Sequence, residues 1–164
     1  MKRIFCTLLA LILLLAISSC SPKKSYNNGI GCAQLYDGIA DGIGENNQYL
    51  EFDSLHTEMY FPNTEEYDDC HTVYSSNVND INEIGIFHAP DEPSARALQQ
   101  SCEAYISDMQ ENSRAFISSY APEELPKLDG AQVHRFGNYV VYLILPDTVA
   151  DEVLEKIEGM LLER

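Results

Sequence analysis

Seven consecutive residues, Glu65-Glu66-Tyr67-Asp68-Asp69-Cys70-His71, bring four carboxylates, a thiol and an imidazole together. Carboxylate oxygens take calcium, and thiolate and imidazole take zinc or copper. Asp68, Asp69 and His71 are the ligand candidates of this stretch. It departs from a calcium loop, which spaces its ligands and turns on a glycine. If the segment is a strand, Cys70 and His71 point to opposite faces and cannot share one ion. The competing reading is a solvated acidic loop.

Nucleophilic catalysis needs a serine or cysteine beside a histidine that a carboxylate orients. His56, His71, His88 and His134 supply bases, and serines are plentiful. No G-x-S-x-G elbow accompanies them. A cysteine enzyme pairing Cys70 with His88 or His134 is the catalytic alternative. Neither Gly29-Ile30-Gly31 nor Gly42-Ile43-Gly44 follows a strand in the way a phosphate loop requires. Tyr60, Tyr67 and Tyr74 recur at intervals of seven. In strands that odd step alternates faces, so core and edge packing accounts for them as well as a sugar-stacking platform does. No motif calls for a cofactor.

The elements that must position these residues follow from periodicity. Ile30 to Gly44 has helical spacing through Cys32, Leu35, Tyr36, Ile39 and Ile43, weakened by its glycines. Leu55 to Phe61 and Cys70 to Ser76 read as acidic, strand-like pieces. Glu83 to His88 alternates as a half-buried strand does. Asp91 caps a long helix with Pro93 in its first turn. Leu98, Cys102, Tyr105, Met109, Phe116 and Tyr120 form its core stripe, interrupted for one turn at Asn112. Pro122 and Pro126 end it. Ala131–Phe136 and Tyr139–Leu145 make a hairpin around Gly137-Asn138, and the second of these strands is apolar on both faces, as an interior strand is. Thr148 to Leu162 closes the chain as a helix, with Val149, Val153, Ile157 and Met160 inward. The expected architecture is a two-layer α+β domain over 30–164, an antiparallel or mixed sheet packed by the long central helix and the C-terminal helix.

The N-terminus sets the location. Lys2 and Arg3 precede an apolar run from Ile4 to Ile17. Crossing a bilayer takes about 20 apolar residues, so this shorter run reads as a signal peptide over 1–19. Ile17-Ser18-Ser19-Cys20 resembles a bacterial lipobox. Cleavage between Ser19 and Cys20 leaves Cys20 as the first residue, carrying lipid on sulfur. Residues 20–29 then read as a lipidated cysteine and a polar, turn-rich tether. The expected location is the cell membrane, lipid-anchored on the outer side of the cytoplasm.

The chain has 164 residues and a net charge of −16. Lys2 and Arg3 are two of its ten basic residues, and all 26 acidic ones follow Cys20, so the part beyond the cut carries −18. That surface repels nucleic acid and suits cations or a basic partner. Of five cysteines, Cys6 leaves with the signal and Cys20 takes lipid. Cys32, Cys70 and Cys102 remain, as one disulfide plus a thiol or as buried free thiols.

Glu83-Ile84-Gly85-Ile86-Phe87 before Asp91, Arg114 and Phe116 on the long helix, Tyr120-Ala121-Pro122-Glu123, and Leu128, Val133 and Gly137-Asn138-Tyr139-Val140 together resemble the domain-of-unknown-function family 4358. The likeness covers about Cys32 to Asp147. It implies a fold and an extracytoplasmic location and carries no assigned activity; Cys70-His71 and the acidic stretch before it lie outside it. These readings converge on a membrane-anchored lipoprotein that acts as a non-catalytic binding or structural module, meeting an envelope protein or cell-wall partner. The alternatives are a cation-binding envelope protein using Glu65–His71 and an envelope hydrolase.

Overall fold

Buried strand residues alternate sides, and here both sides find helices. The computed structural model describes residues 24–43 and 49–163; the expected signal peptide over 1–19, the expected cleavage site at Ser19 and Cys20, and the expected lipidation of Cys20 lie outside them. Helix α1 (Cys32–Ile39) comes first and ends in a 3₁₀ turn, Ala40–Gly42. The short strand β1 (Tyr49–Glu51) and helix α2 (Ser54–Tyr60) follow. Then come β2 (Asp69–Ser75), β3 (Glu83–His88) and the long helix α3 (Glu92–Asp108). A π-helical turn, Met109–Ser113, leads into α4 (Arg114–Tyr120) and the small helix α5 (Leu125–Asp129). The hairpin β4 (Gln132–Phe136) and β5 (Tyr139–Ile144) and the closing helix α6 (Asp147–Leu161) complete the chain.

The five strands form one antiparallel sheet in the order β1-β2-β3-β5-β4. Strand β5 is interior and buried along its whole length, as its doubly apolar pattern requires. The α+β class, the long helix and the C-terminal helix are as the sequence predicts. Those two helices take opposite faces. Ile84, Ile86, Tyr139, Val141 and Leu143 pack against α1 and α6. Phe87, Val140 and Tyr142 pack against α3 through Ala95, Leu98, Cys102 and Tyr105. The sheet is thus covered on both sides, and the layers number three.

One expected strand is a helix. Leu55–Phe61 lies in α2 and its C-cap, because the Asp53 side chain accepts from the His56 N–H at 2.8 Å and caps it. The hairpin turn falls at Gly137, with φ of 62°, where a type II′ turn takes glycine. At Gly85 a side chain is excluded for another reason: a Cβ there would fall inside the Tyr142 ring of the neighbouring strand.

The core stripe of the long helix also breaks differently from its sequence reading. Phe116 and Tyr120 are 65% and 72% exposed, while the next residue in each case, Ile117 and Ala121, is buried at 6%. A π turn holds one residue more than an α turn. Inserted at Met109–Ser113, it advances the stripe by one position and turns both aromatic rings out of the core.

Candidate functional site

The acidic segment closes one end of the sheet, and three of its four carboxylates are already engaged, while the buried His71 Nε2 has no hydrogen-bond partner among the described residues. Glu66 accepts from the Ser101 hydroxyl at 2.8 Å, and the Tyr67 hydroxyl donates to the Phe61 carbonyl. Asp68 bonds the His88 Nδ1 at 2.6 Å. Asp69 accepts from the Cys32 N–H at 2.8 Å, in the first turn of α1 where backbone donors lack helical partners. His71 packs against Tyr36, with ring centres 4.6 Å apart and the rings tilted by 46°. The segment, a 3₁₀ turn at Thr64–Glu66 that runs into the start of β2 at Asp69, pins α1 and α3 to the sheet.

Its three ligand candidates point to separate partners. Cys70 and His71 take opposite faces of β2, as the strand reading requires: Cys70 packs beside the α3 core and His71 beside Tyr36 of α1. Among the described residues no group of three or more histidine, cysteine or acidic side chains is placed to hold a metal ion.

The bases are equally dispersed. Cys70 pairs in register with Phe87, so His88 points to the other face of the sheet. His88 packs on Tyr139, in the α1–α6 core. His134 pairs with Val141 on that same opposite face. Neither imidazole meets the Cys70 thiol. Burial, then the adjacent Asp69 carboxylate, pushes that thiol up and keeps it protonated. Cys32, Cys70 and Cys102 are all free. Cys32 and Cys102 are fully buried in the two separate cores, with the sheet between them.

Two features escaped the sequence reading. The first is a buried carboxyl: Glu83 accepts from Tyr105 at 2.8 Å and from Tyr142 at 2.7 Å. Burial raises the Glu83 carboxyl above the usual range, and the two hydroxyl donors only partly oppose it. An acidic residue in an alternating strand reads as solvent-facing, and only the helix laid over this face buries it. The second is the pairing of Phe116 and Tyr120 outside the core, rings 4.5 Å apart. The one signal for it in the sequence is the polar turn at Asn112-Ser113.

The described residues divide into two poles. At one, the chain start is sewn to the chain end. Tyr26 bridges Leu162, Asn27 donates to Leu161, and Glu163 donates to the Ser25 carbonyl. Lys24 and the Tyr26 hydroxyl both bond Glu158, at 2.6 and 2.7 Å. Burial and the Glu158 carboxylate push the Tyr26 hydroxyl up to about 12. A polar cavity of about 560 Å³ opens here, lined by Lys24, Tyr26, Glu92, Arg135 and Asn138 among others. At the other pole Lys127 bridges Asp80 and Glu124, at 2.9 and 2.6 Å, and ties the 76–82 loop to α5. No described helix is long and apolar enough to cross a membrane.

The model of one family, described as Domain of unknown function (DUF4358), matches residues 46–145. The match spans β1 through β5 and takes in both features above. No curated protein and no solved structure matches the chain.

Proposed function

This chain belongs to the DUF4358 family, a membership that assigns no activity, and from that premise we propose that it is a lipid-anchored extracytoplasmic protein acting as a non-catalytic binding module. The observation that carries this reading is the order of the N-terminal signals: Lys2-Arg3, the apolar run to Ile17, then Ser18-Ser19-Cys20. Two acyl chains hold a protein firmly where one holds it marginally. Anchoring concentrates the domain at the membrane, so weak contacts to a neighbour suffice.

The fold supports the reading by bringing the domain close to its anchor. Ser25, Tyr26 and Asn27 are bonded to the chain end, so only Ser21, Pro22 and Lys23 stand between Cys20 and Lys24. Four steps of extended chain reach about 14 Å. On that leash the pole carrying Lys24 and Gly137 faces the lipid, and the pole carrying the 76–82 loop faces away. The dispersal of Cys70 from His88 and His134 speaks against the hydrolase alternative. A cation at Asp68, Asp69 and His71 would have to break the bonds to His88 and Cys32 first.

Metabolic labelling with an alkyne fatty acid, followed by membrane fractionation, tests the proposal. The wild-type chain takes label and sediments with membranes, and Cys20→Ser takes none. Label retained in Cys20→Ser, or an unlabelled wild-type chain, overturns it.

A further inference from the structure

Two large aromatic side chains stand in solvent because a helix was rewound to put them there. A regular helix continuing from Leu98, Cys102, Tyr105 and Met109 would return to the core at 116 and 120. The π turn at Met109–Ser113 instead gives those places to Ile117 and Ala121. Such turns interrupt regular hydrogen bonding and occur often at functional sites. Phe116 and Tyr120 remain side by side, one helical turn apart, rings tilted 34° at 4.5 Å.

Their position and their surroundings point the same way. Helix α3 starts at the His88 end of β3, where Arg135 reaches Glu92, and passes Tyr105, bonded to Glu83 at the strand's other end. Helix α4 therefore lies beyond the Glu83 end. Six-residue β3 separates that end from the sewn termini by about 17 Å. The charged side chains exposed from 108 to 123 are Asp108, Glu111, Glu123 and one cation, Arg114. Arg114 is taken by Asp129, and Lys127 by Asp80 and Glu124. The rings thus sit in a field of negative charge with the nearby cations already paired.

We propose that Phe116 and Tyr120 form a docking platform, at the membrane-distal pole, for a lysine- or arginine-bearing segment of a partner protein. A cation over an aromatic face gains from the ring quadrupole. The flanking carboxylates supply attraction at longer range, and the apolar ring edges shed water when the partner's side-chain stems cover them. The inference deepens the anchored-module reading by naming what the far pole binds. It leaves Asp68, Asp69 and His71 uninvolved.

The test is fluorescence anisotropy of a labelled decapeptide of alternating arginine and leucine, titrated with the full chain purified in detergent. A matched glutamate–leucine peptide and soluble muropeptides serve as the other probes. Phe116→Ser/Tyr120→Ser removes both rings and no charge; Leu55→Ser/Met59→Ser, on α2, is the control for exposed apolar surface in general. The expected result is binding of the arginine peptide alone, weakened at least tenfold by the first pair and unchanged by the second, with melting temperatures of both variants near wild type. No binding of the arginine peptide overturns the proposal. So does binding that survives loss of the rings, which would reduce it to charge attraction. Muropeptide binding lost with the rings would replace the protein partner by a glycan. The Cys20 labelling experiment reads the anchor separately, so failure of one leaves the other interpretable.

Discussion

The Tyr142 hydroxyl donates to the Glu83 carboxyl at 2.7 Å across two neighbouring strands, and both side chains are buried. Tyr105 completes the arrangement from α3 at 2.8 Å. The same ring fills the space where Gly85 has no side chain. The centre of the α3-facing core is therefore a carboxyl held by two phenols over a glycine.

Glu83 makes stability fall as pH rises. Its folded-state value is raised by burial, so the folded protein holds a proton that the unfolded chain has released. The favourable contribution is complete below the unfolded value, near 4.3, and is lost as pH climbs through the folded value. Glu83→Gln removes this dependence. Its melting temperature should match wild type near pH 4 and exceed it increasingly towards neutrality. Parallel pH profiles for the two proteins would show that Glu83 titrates normally in the fold.

Gly85→Ala should be among the most damaging single changes. A methyl group there lands on the Tyr142 ring, which is fully buried and bonded to Glu83, so the ring has nowhere to move. Overpacking costs about 1–3 kcal/mol and sometimes more, and the upper end applies here. Urea denaturation gives the value. Gly159→Ala, where nothing lies within 4 Å of the added carbon, is the control and should leave stability unchanged or raise it. A loss at Gly85 no larger than at Gly159 would contradict the close approach.

Lys127→Met should loosen the pole that carries the 76–82 loop. The Lys127 side chain is 16% exposed, and its ammonium bridges Asp80 and Glu124, whose side chains are each 11% exposed. Burial alone would raise the Asp80 carboxyl, but Lys127 and the Asn82 N–H outweigh it and hold it below the usual range. Such a group stabilises above its unfolded value, near 3.9, and the stability is lost as pH falls through the lowered folded value. Removing the shared cation strands two part-buried carboxylates and should cost about 2–4 kcal/mol at pH 7. The deficit should narrow below pH 4. Hydrogen exchange then locates the loss: Ile81 and Asn82, whose N–H groups bond Glu124 and Asp80, should lose protection before the centre of the sheet does.

Most of the regular elements were legible because their signals are local. Asp91 does cap the long helix, accepting from the Ser94 N–H at 2.8 Å. Gly137 does turn the hairpin. The doubly apolar run of β5 does lie inside the sheet. Leu55–Phe61 failed because Leu55, Met59 and Tyr60 suit either an exposed helix or a short strand, and the deciding cap at Asp53 lay just outside the apolar stretch. β1, three residues long, exists only through its pairing with β2 and carries no pattern of its own.

The sequence by itself determined the α+β class, the long and closing helices, the antiparallel hairpin and the pattern at the N-terminus that points to an anchor. These depend on periodicity, capping and turn chemistry, which neighbouring residues carry among themselves. Only the tertiary structure decided that helices cover both faces of the sheet, because that depends on which strand residues each helix reaches across the chain. It also separated Cys70 from the histidines, dispersed Asp68, Asp69 and His71, buried Glu83 and turned Phe116 and Tyr120 outward. In each case the outcome rests on register or on helix phase, and a shift of one residue in either carries a side chain to a different face.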